Sequence, residues 1–347
     1  MSGTVCYTSF TLSYLSRASI LARSLRAAHP DWELCALLVD EAPAGMAAAF
    51  AGFDRVVVAD SLAIPAFRAW MFKHDLVEAC TAVKPPMLAA LLAAGAARVV
   101  YLDPDIAVFH PLTEIVDRLD RASIVLTPHQ CAPSADAQAA RDNEMTSLLY
   151  GIYNLGFLAV RNDASGRGFA DWWTAMTRLA CYDDVTRGIF TDQKYCDLVP
   201  GLFEGVHVER DPGCNVASWN LGNRRLRFTG DGDLTVNDRM LKFYHFTKIG
   251  GIGDAMTERY AQEGCEVFEI VNWYKRQIAR HRLADLDRLA WCYGRFDDGQ
   301  PIPRAARLLW RERPDLWAVF PDPFAADGFR AWLERERPEC LRIEEAA

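Results

Sequence analysis

Over its first 130 residues the chain alternates short apolar, β-rich runs with helical patterns, and this alternation restricts the possible folds more than any other feature. Residues 5–10, 33–39, 55–59, 98–102 and 123–127 each read as a strand that ends in polar or turn residues. Between the first two runs, Leu15, Ala18, Ala22 and Leu25 share one helical face, with Thr11 or Ser13 available as N-cap. An Ala/Leu-rich helix is predicted over residues 87–97, entered through Pro85-Pro86 and closed near Gly95. Strand–helix–strand alternation builds a mainly parallel sheet with helices on both faces, an α/β fold. Ligands of such sheets sit beyond the carboxyl ends of the strands. Polar residues that follow a strand are therefore where chemistry should be sought.

A second block, residues 153–251, mixes strands with turns in YNLGFLAVR, VHVER and LKFYHFT. From about residue 266 the chain reads as helical and aromatic, with Val267, Ile270, Val271, Tyr274 and Ile278 in one apolar stripe. The expected organisation is one domain over 1–250 and a helical, aromatic-rich extension over 251–347. Lys and Arg number 38 against 46 Asp and Glu, a net charge of −8 that argues against a dedicated nucleic-acid partner. The longest apolar run, 87–102, is interrupted by Gly95 and Arg98, too early to cross a bilayer. MSGTVCYTSF carries no basic segment ahead of an apolar core, and the 10 cysteines contain no C-x-x-C pair. The expectation is a cytoplasmic protein with reduced thiols.

VVYLDPDIAVF, residues 99–109, carries the strongest chemical signal. A buried strand delivers Asp103 and Asp105 to its carboxyl end, separated by Pro104, so both carboxylates can converge on one divalent cation. A cation there would neutralise a departing nucleotide diphosphate. An ordinary Asp-Pro-Asp turn would use the same residues. Two other enzyme classes place Asp-x-Asp after a strand. Phosphatases of the haloacid-dehalogenase type want Thr or Val where this chain has Ala107, and sugar nucleotidyltransferases open on a glycine-rich loop, whereas VCYTSFTLSYL has no glycine. A non-catalytic nucleotide-sugar-binding module is a further alternative.

Apolar-YLDxD, the small-residue helix before it and a first unit ending in SLRAAHPDWEL together resemble the GT-A glycosyltransferases of family 8 and their bacterial relatives. The resemblance runs with gaps from about residue 5 to 251. It implies a GT-A fold and a retaining, metal-dependent transfer of a sugar from a nucleotide-sugar donor, usually a UDP-sugar, to an acceptor hydroxyl. By the same resemblance Asp103 and Asp105 are metal ligands, and His245 in FYHFTKIGG is the third. Lys248 is the nearest counterpart of a diphosphate-binding lysine, although the usual Gly-x-x-Lys-Pro-Trp spacing is absent. Asn154 in YNLGF stands beside the donor sugar. Asp192 and Gln193 in TDQKYCDLV stand near the anomeric carbon. Lys84 takes the place of a basic residue at the donor phosphates. Where the family often has acidic residues for nucleotide recognition after the first strand, this chain has Thr8 and Ser9.

Two carboxylates and an imidazole make a mixed oxygen and nitrogen site, which suits Mn²⁺ better than Mg²⁺. Each residue also has a plainer role open to it: His245 as a core histidine, Asn154 in a bulge, Asp192 as a helix cap, Lys84 on the surface. In DPGCNVASWNLGNRR, Asn215, Trp219 and Asn220 have the residue types that hold sugars, a flat ring flanked by amides, and are the acceptor-site expectation. The acceptor itself stays open: a glycan, a lipid-linked glycan or a protein hydroxyl. Lys275, Arg276, Arg280, His281, Arg282 and Arg288 give the C-terminal region a basic face that could rest on anionic lipid, or simply be solvated.

Overall fold

The computed structural model describes residues 3–42 and 45–343. Strands β1 (Thr4–Phe10), β2 (Glu33–Leu38), β3 (Arg55–Val58) and β4 (Arg98–Leu102) run parallel in the spatial order β4-β1-β2-β3. The side chains of β1, β2 and β4 are buried almost without alternation, the signature of strands covered on both faces, whereas the edge strand β3 is half-exposed. Helix α1 (Leu15–Ala28) crosses from β1 to β2, and α2 (Leu76–Ala82) with α3 (Lys84–Ala93) leads into β4. The α3 helix begins three residues earlier than its sequence pattern suggested. Pro85 and Pro86 occupy its first turn, where a backbone N–H has no intrahelical partner to lose. Its exit is made by Gly95, at φ +91°, a conformation costly for a residue with a Cβ. The 18-residue stretch Leu76–Ala93 is apolar enough to cross a membrane by composition, yet 61% of it is buried inside this fold.

After β4 come β5 (Ile106–Val108), β6 (Ile124–Pro128), β7 (Tyr153–Arg161), helix α4 (Ala164–Leu179), β8 (Val206–Val208) and β9 (Phe243–His245). The seven-stranded sheet reads β8-β6-β7-β4-β1-β2-β3. Only β7 departs from parallel order, pairing antiparallel with both β4 and β6. The reversal matters, because it brings the first residues of β7 to the sheet end where β4 finishes. A separate antiparallel pair, β5 with β9, sets His245 opposite Ile106. Functional side chains from three strands thus meet at one end of the sheet.

Helices α5 (Ile252–Tyr260), α6 (Val267–Arg280) and α7 (Arg304–Glu312) follow. The expected stripe on α6 is buried through Val267, Ile270, Val271 and Tyr274. Trp291, Phe296, Trp310, Phe324 and Phe329 belong to the same apolar cluster as Tyr7, Leu37 and Tyr101 of the sheet. The C-terminal segment therefore shares its core with the strands. All ten cysteines are unpaired.

Candidate active site

A cleft of about 700 Å³ opens at the carboxyl end of β4. On its floor lie Asp103, just past β4, Asp105, just before β5, and His245, the last residue of β9. One ligand atom from each of the three lies within 4.8 Å of the other two. His245 Nε2 is 3.0 Å from Asp105 Oδ1 and 3.6 Å from Asp103 Oδ2. The β5–β9 pairing builds this approach directly, since the Phe246 N–H donates to the Asp105 carbonyl at 2.9 Å. Burial alone would push the Asp105 carboxyl up, but His245 beside it holds it below the usual range. The same pair works in reverse on His245: burial lowers it, Asp105 raises it, and the balance is upward.

His245 is oriented from behind. Its Nδ1 donates to Asn154 Oδ1 at 3.2 Å, which turns Nε2 towards the two carboxylates, where its N–H faces Asp105 and would give way to a bound cation. Asn154 uses its whole amide. Oδ1 also accepts from the Gly156 N–H at 3.2 Å, and Nδ2 donates to Gln193 Oε1 at 3.4 Å and to His129 Nε2 at 3.3 Å. Gln193 is fixed in turn, accepting from the Leu155 N–H at 3.1 Å and donating to the Tyr150 carbonyl at 3.0 Å. The carboxylate pair with one imidazole nitrogen turned inward fits a divalent cation chemically.

Lys84 is buried in the first turn of α3. Its ammonium lies 3.1 Å from Asp103 Oδ1 and 3.4 Å from Asp192 Oδ2, over the Tyr101 ring at 4.4 Å. Tyr101 adds a 2.6 Å hydrogen bond to the same Asp103 oxygen. Asp192 is buried and follows Thr191, whose φ is +44°. Burial pushes the Asp192 carboxyl up; Lys84 opposes the shift without cancelling it. The Asp192 carboxylate therefore faces Lys84, and the Lys84 side chain faces carboxylates, away from the surface.

The remaining expected residues are dispersed. Lys248, exposed and at φ +50°, lines the cleft. Trp219 lines it as well, its buried indole N–H without a partner, its ring edge-on to both His129 and His245 at 5.3 Å. Asn215 and Asn220 do not line it. The Asn220 amide joins the Ala217 N–H to the carbonyls of Asn215 and His129, a loop-holding role. Thr8 and Ser9 are buried in β1 away from the cleft wall, and the Ser9 hydroxyl donates to the Cys80 carbonyl. The sequence reading missed His129, Tyr150 and Arg259, all cleft-lining. His129 directly follows β6, so the strand-end rule applied above could have found it. No local pattern marks the other two.

No protein-family model matches the chain. Two proteins of Bacillus subtilis (strain 168) align with it over 178 residues each. One, described as uncharacterized protein YfnF, is 30% identical over 50% of this chain and 57% of its own length. The other, uncharacterized protein YfnD, is 28% identical over 49% and 53%. The chain thus spans little more than half the length of these relatives. Among solved structures, an active-site mutant of LgtC superposes with a TM-score of 0.51 at 16% identity, covering 80% of this chain and 95% of that one. The chain has the GT-A fold. A second LgtC structure, described as a galactosyltransferase in complex with donor and acceptor sugar analogs, covers the same shares at 17% identity with a TM-score of 0.48. In the GT-A frame the strand end carrying Asp103 and Asp105 is the end at which α/β sheets bind ligands.

Proposed function

We propose that this chain is a metal-dependent retaining glycosyltransferase that moves a sugar from a nucleotide-sugar donor, a UDP-sugar, to an acceptor hydroxyl. The observation that carries the reading is the convergence of Asp103, Asp105 and His245 on the floor of a cleft whose wall holds the buried Asp192. The GT-A fold, and the glycosyltransferases that share it, support it. Asp103, Asp105 and His245 would hold Mn²⁺ or Mg²⁺, which when bound neutralises charge on the departing nucleoside diphosphate. Lys84 sets its ammonium between the Asp103 and Asp192 carboxyl groups. Lys248 stands at the cleft edge where its ammonium can reach the diphosphate. Asn154 is held in a single orientation with its amide fully engaged, and Gln193, equally fixed, keeps one amide N–H for the donor sugar. The acceptor hydroxyl attacks the face from which the diphosphate leaves, so configuration is retained. Asp192 is the nearest nucleophile for a covalent route, and otherwise Gln193 lines that face.

The test is a donor screen: thermal stabilisation by UDP, GDP and their sugars with and without Mn²⁺, followed by product analysis. Stabilisation by UDP that requires Mn²⁺, with sugar transferred and its anomeric configuration kept, is expected. Release of inorganic phosphate, or no metal-dependent binding of any nucleotide, would overturn the reading.

A further inference from the structure

His129 makes no approach to the carboxylates, yet it closes the hydrogen-bonded chain behind His245. Its Nδ1 lies 3.3 Å from the Ile152 carbonyl, which can only accept, so Nδ1 carries the proton and Nε2 offers a lone pair. That lone pair meets Asn154 Nδ2 at 3.3 Å, and Asn154 Oδ1 meets His245 Nδ1 at 3.2 Å. A flipped Asn154 amide would set its oxygen against the His129 lone pair and against Gln193 Oε1. It would also set its NH₂ against the Gly156 N–H and the His245 N–H. The acceptor on His129 and the donor on Gly156 thus select one amide orientation, and that orientation fixes a proton on His245 Nδ1, leaving Nε2 as the nitrogen that can give up its proton to a cation. Burial, with His245 nearby, holds His129 down to about 4, so its ring is neutral near pH 7. Trp219, edge-on to both imidazoles, keeps the two rings in register.

We propose that His129 is a positioning residue for the metal site, acting through Asn154 to present the His245 Nε2 lone pair to a divalent cation. This rests on the metal-dependent reading above. It makes a third layer behind Asp103 and Asp105 that the sequence motif does not contain. A side chain that accepts at the same place should substitute for it, and an apolar one should not.

The experiment measures Mn²⁺ binding to the full chain by calorimetry, and imidazole-nitrogen coupling to bound Mn²⁺ by pulsed electron paramagnetic resonance. Neither needs nucleotide or turnover. His129→Leu is expected to weaken Mn²⁺ binding on the order of tenfold and to diminish the nitrogen signal, the lower end of outer-shell effects on metal sites. His129→Gln, which can accept from Asn154 through its side-chain oxygen, is expected to restore both. A general loss of packing would not be rescued by Gln and would leave the nitrogen coupling of the remaining bound Mn²⁺ intact. Wild-type affinity and an unchanged signal in His129→Leu would overturn the inference alone. Failure of the wild-type chain to bind Mn²⁺ would overturn the metal-dependent reading, and this inference with it.

Discussion

At Gly156 a single missing side chain makes the site possible. A Cβ there would stand 2.6 Å from His245 Cε1 and 2.7 Å from Asn154 Oδ1, closer than real Cβ atoms approach. Gly156→Ala is therefore expected to displace His245 and to weaken Mn²⁺ binding at least tenfold by calorimetry. Melting of the variant should stay near that of wild type, because the clash falls on two side chains at the cleft and leaves the strand backbone alone. Asp105→Asn keeps the shape but removes the charge that His245 faces. Mn²⁺-dependent sugar transfer should drop on the order of a hundredfold or more, and wild-type turnover in this variant would remove Asp105 from the ligand set. The aspartates were legible in YLDPD, because a strand ending in two acids is a local pattern. Gly156 was legible only as part of YNLGF, since its close neighbour, His245, lies 89 positions further along the chain.

Among the elements, the strands read from periodicity were recovered within a residue or two, because continuous burial on both faces leaves a strong apolar signal. The antiparallel course of β7 was not readable, since YNLGFLAVR has the same composition in either direction. Yet that reversal puts Asn154 behind His245. The burial of Lys84 was equally hidden: helix α3, β4 and the 191–193 segment enclose it jointly. Lys84→Met should cost about 3 kcal/mol in urea unfolding, because Asp103 and Asp192 would then face each other without a cation. Adding Asp192→Asn should recover part of that loss, and additive losses in the double variant would mean the two residues do not interact. Asp192→Asn alone should cut transfer far more than it weakens UDP binding, since on the proposed reading the residue serves the donor sugar and not the nucleotide. Equal loss of both quantities would place it at the diphosphate instead.

Across the whole molecule, the segment from Trp291 onward is bound to the sheet domain through one aromatic core and a set of buried charges. Arg307, itself buried, donates to the carbonyls of Phe72 and Tyr293, and Arg311 pairs with the buried Glu78 of α2. His74 lies inside this junction, 1% exposed, against the Trp70 and Tyr182 rings. Burial lowers its proton affinity well below the ordinary histidine value, and Arg311, Lys73 and Arg307 lower it further. The folded chain therefore holds His74 neutral, while the unfolded chain protonates it below about pH 6.5. Because the unfolded state binds the extra proton, the contribution is complete above that value and is lost as pH falls beneath it. The slope due to this one group is about 1.4 kcal/mol per pH unit. Urea unfolding of wild type and of His74→Phe at pH 7.5, 6.0 and 5.0 isolates it, since the other titrating groups are common to both. The phenyl ring keeps contact with Trp70 and Tyr182, so the variant should lose less stability on acidification than wild type. Parallel losses in the two proteins would show that His74 is protonated in the folded state, and that the junction tolerates a third cation beside Arg307 and Arg311.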